Sequence, residues 1–89
     1  MNPIVVKFGG SSLATAAQFE KVAAIIREAP ARRYVVASAP GKRFDGDTKV
    51  TDLLYRCYDA ACAGQEFAPV LDEIRQRFAD IIGALRLSA

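Results

Sequence analysis

The sequence predicts an α/β fold in which a βαβ unit with parallel strands is followed by two helices, an incomplete αβα sandwich. Two short runs rich in β-branched residues each end at a glycine-bearing turn, and an amphipathic helical pattern separates them within about 35 residues. Two further helical patterns follow. A strand–helix–strand unit of this kind has parallel strands and a right-handed crossover.

The first predicted strand covers residues 4–8. It follows Pro3, is rich in β-branched residues, and stops at Gly9-Gly10. A short apolar run bounded in this way is typical of a strand that is buried on both faces.

The first predicted helix begins after Thr15. Thr15 and Gln18 have the spacing of a capping box, in which the Thr hydroxyl accepts from the Gln18 N–H and the Gln18 side chain reaches back. Pro30 should end this helix at or before Ala29. One apolar face follows the cap, made of Phe19, Val22, Ala23 and Ile26.

The second predicted strand covers residues 34–37, with Arg32-Arg33 interpreted as a solvated turn before it. It stops at Ser38-Ala39-Pro40-Gly41. Parallel strands of a βαβ unit end at the same edge of the sheet, so this turn should lie beside Gly9-Gly10. Open α/β sheets bind their ligands at that edge.

The rest of the chain predicts a loop and two helices. Residues 42–50 are polar and rich in turn formers, which indicates a surface loop. One helix should run from about Thr51 to near Gly64, starting close to the ligand edge, and the other over residues 66–85. The apolar stripe of the last helix is Phe67, Val70, Leu71, Ile74, Phe78, Ile81, Ile82 and Leu85.

Composition bounds the class of protein. The 89 residues carry 12 basic and 10 acidic side chains, a balance that does not indicate nucleic-acid binding. Histidine is absent, so a zinc site is not expected. Cys57 and Cys62 would point in different directions on one helix, so a disulfide between them is not expected. Two such cysteines fit a reducing, cytoplasmic setting. No membrane segment is predicted. The hydrophobic content of 52% predicts apolar faces that meet a partner.

The segment Lys7-Phe8-Gly9-Gly10-Ser11-Ser12 has the order expected of a phosphate site. Two glycines permit close approach of the backbone and positive φ angles, and the free N–H groups of such a turn bind anions. Lys7 would place an ammonium beside a phosphate and offset the charge that develops during transfer. The residues alone leave open a tight strand-to-helix turn in which Lys7 reaches solvent.

The segment Ser38-Ala39-Pro40-Gly41-Lys42 is not a Walker A loop. Val36 stands where that motif has its first glycine, and Arg43 follows the lysine. The segment predicts a second glycine turn at the same edge, or the simple start of a loop.

Two other groups have a structural interpretation. Thr51 suits the N-terminal cap of a helix. Asp45 and Asp47 flank Gly46 and are expected to form a solvated turn, because the run lacks the further carboxylates of a calcium loop.

Three ordered segments closely resemble the start of aspartate kinases, which belong to the amino-acid kinase family. They are Val6-Lys7-Phe8-Gly9-Gly10-Ser11-Ser12, Val35-Val36-Ala37-Ser38-Ala39-Pro40-Gly41-Lys42 and Lys49-Val50-Thr51-Asp52-Leu53-Leu54. The link between Lys42 and Lys49 looks longer than in many of these enzymes.

The resemblance implies an amino-acid kinase-like fold and transfer of the γ-phosphoryl group of ATP to the β-carboxylate of L-aspartate, on the route to lysine, threonine and methionine. It implies that Lys7 is catalytic and that Ser38 and Thr51 hold aspartate. ATP and Mg²⁺ would serve the full-length enzyme, with no metal ligand among these residues. The residues implied around the ATP phosphates are Lys7, Gly9, Gly10, Ser11 and Ser12.

A kinase domain of this family is much longer than 89 residues and is usually followed by ACT regulatory domains. Residues 1–89 are therefore expected to be its N-terminal portion, without turnover or a tightly bound cofactor on their own. A homo-oligomer through an exposed strand edge or helix faces is expected. The alternatives are a non-catalytic assembly module and a kinase of the same family with another acceptor.

Overall fold

The order of the elements confirms the predicted α/β architecture. A computed structural model describes residues 2–87. Strands β1 and β2 form a two-stranded parallel sheet in which Val6 lies opposite Val35 and Phe8 lies opposite Ala37. The elements are β1 (Ile4–Phe8), a 3-10 turn (Gly10–Leu13), α1 (Ala16–Glu28), β2 (Arg32–Ala37), α2 (Val50–Cys62) and α3 (Ala68–Ala84).

One of the two hydrogen bonds of the predicted capping box is formed at the start of α1. The Thr15 hydroxyl accepts a hydrogen bond from the Gln18 N–H at 3.4 Å, as expected. The Gln18 side chain turns elsewhere and donates to the carbonyl of Ser11, also at 3.4 Å. It thereby ties the helix to the turn that precedes it, and α1 ends at Glu28, ahead of Pro30, as predicted.

Strand β2 begins two residues earlier than predicted, and Arg32-Arg33 are not a solvated turn. Arg32 lies opposite Ile4 in the sheet, which makes it part of the strand. Its guanidinium donates to the carbonyl of Ile25 in α1 and lies 3.6 Å from the Glu28 carboxylate. The long-range pairing with β1 therefore extends β2 beyond its β-branched run.

Helix α1 covers one face of the sheet and makes the first apolar cluster. Because residues paired across parallel strands point to the same face, Val6 and Phe8 share this face with Val35 and Ala37, but the two β2 residues stay exposed, so α1 covers mainly the β1 side. The buried members of the cluster are Phe8, Leu13 and Val22, with Val6, Phe19 and Ile26 packed against them.

The opposite face of the sheet is exposed, so the prediction that β1 is buried on both faces is wrong for this chain. Val5 is 67% exposed, and its neighbours Tyr34 and Val36 on β2 are 60% and 53% exposed. Helices α2 and α3 pack mainly on each other and leave these three side chains uncovered. Val5, Tyr34 and Val36 are called the open face below.

Helices α2 and α3 form the second apolar cluster. Val50, Leu53 and Ile74 are buried in it, and Ala39 joins it from the turn after β2. The α3 stripe is only partly used, because Ile74 and Ile81 are buried while four members, Phe67, Leu71, Phe78 and Ile82, stay at least 40% exposed. None of the helices within residues 2–87 has the length and apolar character needed to cross a bilayer.

Candidate functional site

The two glycine-bearing turns lie side by side at the carboxyl edge of the sheet, as predicted. The Ser38 N–H donates to the Phe8 carbonyl at 3.1 Å, which extends the pairing of β1 and β2 beyond the strands. The Gly41 N–H donates to the Gly10 carbonyl at 2.8 Å. These two bonds join the turns that carry the residues predicted to bind phosphate and aspartate.

Contact between Gly10 and Gly41 explains why both positions lack a side chain. A Cβ atom on Gly41 would lie 2.6 Å from the Gly10 carbonyl carbon and 2.9 Å from the Ser11 nitrogen, distances that a folded chain does not accommodate. A Cβ on Gly10 would lie 3.1 Å from the Gly41 Cα. The glycines allow the backbones of the two turns to touch.

Positive φ angles, which the Gly9-Gly10 pair was expected to permit, are not used there. Gly9 has an extended backbone with φ −76° and ψ 176°, and within residues 2–87 the left-handed glycines are Gly46 and Gly64. A Cβ on Gly9 would have no heavy atom within 4 Å. Gly9 therefore presents its backbone to open space, where a ligand can approach it closely.

The first turn of α2 lies at the same edge, as predicted. The Val50 N–H donates to the Pro40 carbonyl at 3.0 Å, and this bond attaches the helix to the second glycine turn. The cap interpretation of Thr51 is wrong, because α2 already starts at Val50 and no side chain of the described residues caps it. Thr51 sits inside the first turn with its side chain exposed.

The structure gathers the residues predicted for the site at one edge. Lys7 is exposed and lies opposite Val36, on the face that α1 does not cover. Ser11 and Ser12 lie in the 3-10 turn that follows Gly9, and Ser38 follows β2 directly. Within the described part of the chain, the Gly10 and Ser11 N–H groups donate to no backbone carbonyl. An ammonium, free N–H groups and hydroxyls at one edge are suited to an anionic ligand.

One residue behind this edge was not predicted from the sequence. Arg77 of α3 is only 4% exposed, and its guanidinium donates to the carbonyls of Thr48 at 2.8 Å and Gly41 at 2.5 Å. Its Nε has no hydrogen-bond partner among residues 2–87. Arg77 thus connects α3 to both ends of the loop between β2 and α2.

Asp47 is a structural residue of that loop, so the prediction that it lies in a solvated turn is wrong. Its carboxylate accepts hydrogen bonds from the backbone N–H of Arg43 at 2.9 Å and from the Arg43 side chain at 2.7 and 3.0 Å, and it lies 3.7 Å from Arg77. Hydrogen bonding to Arg43 holds the pKa of Asp47 well below its ordinary value, although burial acts in the opposite direction.

The sequence does contain a signal for Arg77. It lies three residues after Ile74 and four before Ile81, so helical spacing places it on the same buried face of α3 as these two isoleucines. A charged residue on the buried stripe of a helix needs a partner inside the fold. Burial lowers the pKa of Arg77, Arg43 lowers it further, and Asp47 opposes both effects.

The described residues do not offer a metal centre. Residues 2–87 contain no group of three or more His, Cys, Asp or Glu side chains placed to hold an ion. Cys57 and Cys62 are both free thiols.

The sheet topology and the paired glycine turns define an α/β unit that brings Lys7, two glycine turns and several hydroxyl side chains to one edge of the sheet. A sequence model described as "Amino acid kinase family" matches residues 2–85. The chain therefore belongs to the amino acid kinase family.

Two relatives are similar over nearly the whole chain. Aspartokinase 3 of Bacillus subtilis (strain 168) is 48% identical over 83 residues, which are 93% of this chain and 18% of that protein. The crystal structure of the aspartate kinase of Clostridium acetobutylicum, described as an allosteric enzyme, superposes with a TM-score of 0.96 at 44% identity. The match covers all of this chain and 21% of that one, so the chain spans about a fifth of either relative.

Proposed function

We propose that residues 1–89 are the N-terminal portion of an aspartate kinase domain, and that their sheet edge holds the phosphates of ATP beside the acceptor. The observation that carries this proposal is the contact between Gly10 and Gly41, which joins the turn with Lys7 to the turn with Ser38. The two relatives, both named as aspartate kinases, support the choice of substrate.

In this proposal the roles follow from position. Lys7 neutralises phosphate charge, because it is an exposed residue near the end of β1 at the ligand edge. Gly9 and Gly10 let the phosphates approach the backbone, with Ser11 and Ser12 in the adjoining turn. Free N–H groups at this turn add dipoles that favour an anion.

The acceptor side is proposed to use Ser38 and Thr51. Their elements are tied together through Pro40, whose carbonyl accepts from the Val50 N–H. Aspartate held there would present its β-carboxylate toward the phosphates, and fixed proximity of two reactants is a large part of phosphoryl transfer.

The rest of the catalytic domain and any ACT domain are proposed to lie outside these residues. Magnesium would screen the charge of the phosphates, but the residues present do not form a site for it, so the proposal assigns them no metal-dependent step. The 89-residue chain is therefore proposed to bind phosphates weakly and to show no turnover by itself. A cytoplasmic location is part of the same proposal, consistent with the free thiols.

A binding experiment tests the proposal. Calorimetric titration of the chain with ATP should show weak, saturable binding that is lost in Lys7→Ala and kept in Lys21→Ala, an exposed lysine of α1. A chain that binds no nucleotide, or binds it equally well without Lys7, would contradict the phosphate role. Aspartate should compete better than glutamate for the acceptor side, and the reverse would favour another acceptor in the same family.

Self-association is the second part of the proposal, favoured by the open face. Val5, Tyr34 and Val36 form an uncovered apolar surface, and each of the two strands has an outer edge. We propose that a second copy covers this surface when no other part of a kinase domain does.

Sedimentation velocity distinguishes the outcomes. The unmutated chain should form dimers or larger species at high concentration, and Val36→Lys should shift it toward monomer. Ile25→Lys is the control, because Ile25 is an exposed apolar residue of α1, away from the open face. A compact monomer at high concentration would contradict self-association and leave the phosphate site unaffected.

A further inference from the structure

The guanidinium of Arg77 is buried at a position of α3 where an apolar side chain would be expected. Its helical neighbours on the buried face, Ile74 and Ile81, are apolar, whereas Arg77 is charged and 4% exposed. Withdrawing a charge from water is costly unless hydrogen bonds and an opposite charge compensate. Asp47 at 3.7 Å supplies the opposite charge, and two backbone carbonyls accept the hydrogen bonds.

Those two carbonyls lie at the two ends of one loop. Gly41 closes the turn that follows β2, and Thr48 lies two residues before the start of α2. Ser38 is fixed on the sheet side by its bond to Phe8, and Thr51 moves with α2. The distance between the two proposed acceptor residues therefore depends on the Val50–Pro40 hydrogen bond and on how firmly Gly41 and Thr48 are held together.

Arginine suits this task better than lysine. A guanidinium presents several N–H donors in a rigid planar fork, so NH1 can serve Thr48 while NH2 serves Gly41. A lysine ammonium is a single point and cannot reproduce that geometry. Asp47 adds a second restraint, because its carboxylate is shared between Arg43 in the loop and Arg77 beneath it.

We propose that Arg77 is a positioning residue, whose forked hydrogen bonds to Gly41 and Thr48 fix the second glycine turn relative to the start of α2. The consequence for aspartate binding rests on the proposed function, whereas the positioning of the loop does not. Arg77 itself touches no ligand in this proposal. It acts on Ser38 and Thr51 through the backbone between them.

Amide hydrogen exchange of the 89-residue chain tests the positioning. Arg77→Met removes the fork and keeps an unbranched apolar side chain, and Arg75→Met is the matched control, since Arg75 lies on the same helix with its side chain 73% exposed. In Arg77→Met the Gly41 and Val50 amides should exchange on the order of ten- to a hundredfold faster, because a lost hydrogen bond corresponds to about tenfold. The Ser38 amide, bonded to Phe8 at the sheet, should change less than threefold.

Uniformly faster exchange at Gly41, Val50 and Ser38 would overturn the proposal, because Arg77 would then contribute only to global stability. Unchanged exchange at Gly41 and Val50 would overturn it as well. If Arg77→Met does not fold, Arg77→Lys is measured in its place, and it should show the same selective pattern with a smaller amplitude. If neither variant folds, rotation of the Arg77 guanidinium is measured by NMR in the unmutated chain. Slow rotation supports the two hydrogen bonds to Gly41 and Thr48, and free rotation overturns them.

Ligand titrations of the same proteins separate this proposal from the proposed function. Arg77→Met should weaken aspartate binding at least tenfold and change ATP binding less than twofold, because Lys7 and Gly9 lie on the other turn. An equal loss of affinity for aspartate and for ATP would overturn the selective role of Arg77 at the acceptor side. An unmutated chain that binds neither ligand contradicts the proposed function alone, and the exchange pattern still decides what Arg77 does.

Discussion

The two glycine turns at the sheet edge are held in different ways. The first, at Gly9-Gly10, is shaped mainly by local interactions, although Gly10 also contacts Gly41: it ends β1, continues into a 3-10 turn, and is tied to α1 by the Gln18 side chain. The second, ending at Gly41, is shaped by distant residues, namely Gly10 and Arg77. Gly9 in the first turn should therefore tolerate a substitution that Gly41 in the second does not.

The largest expected effect is at Gly41. Gly41→Ala places a methyl group 2.6 Å from the Gly10 carbonyl carbon, so the two turns must separate. Forced overpacking of this kind costs about 1–3 kcal/mol of unfolding free energy. Urea unfolding of the variant measures this loss, and an unchanged midpoint would show that the turns are not in contact.

The matching change in the first turn should be mild. Gly9→Ala introduces a methyl with no heavy atom within 4 Å, at a backbone conformation that alanine adopts readily. Such a change is expected to raise the free energy of unfolding slightly, by about 0.4–1 kcal/mol, because alanine lowers the conformational entropy of the unfolded chain. A loss as large as that of Gly41→Ala would remove the proposed difference between the turns.

The sequence predicted the locally determined features and the parallel βαβ topology, but it missed several individual contacts between distant residues. The strand Ile4–Phe8, the Thr15 cap and the end of α1 ahead of Pro30 follow from short-range patterns, and all are confirmed. The early start of β2 depends on pairing with Ile4, which its own residues do not show.

The second turn illustrates the same limit. The motif around Gly41 predicts a turn at the ligand edge, but its contact with Gly10 and its support from Arg77 join residues far apart in the chain. The exposure of the open face was missed for a related reason. An apolar run indicates that a strand can be buried, and the burial itself depends on what else packs there.

An intermediate effect is expected at Asp47, which supports the second turn from within its loop. Asp47→Asn should lower the free energy of unfolding by about 1–2 kcal/mol at pH 7, since the carboxylate accepts charge-assisted hydrogen bonds from Arg43. Because the pKa of Asp47 is lower in the folded chain than its ordinary value of 3.8, its contribution is complete at neutral pH. It is lost progressively as the pH falls below about 4.

Urea unfolding at pH 7 and pH 3 tests this dependence. The stability difference between the unmutated chain and Asp47→Asn should be large at pH 7 and shrink at pH 3. Asp45→Asn, which removes a carboxylate from the exposed side of the same loop, should change stability by less than about 0.5 kcal/mol at pH 7. A difference that grows on acidification would contradict the role given to Asp47.

The smallest effect on stability is expected at Lys7. Its side chain is exposed, so Lys7→Ala should change the free energy of unfolding by less than about 0.5 kcal/mol. Thermal unfolding followed by circular dichroism measures this. A large loss would mean that Lys7 is a structural residue and that the loss of ligand binding in the variant has a trivial cause.

The central claim is that the two turns form one ligand-binding edge. Titration of the ¹⁵N-labelled chain with ATP, followed by amide chemical shifts, tests it most directly. Amides of residues 9–12 should shift on ATP binding, and those of residues 38–41 should follow the same saturation curve because Gly41 contacts Gly10. The α3 amides after Phe78 should stay unchanged. Shifts confined to one turn, shifts only elsewhere in the chain, or no saturable shift at all would contradict the claim.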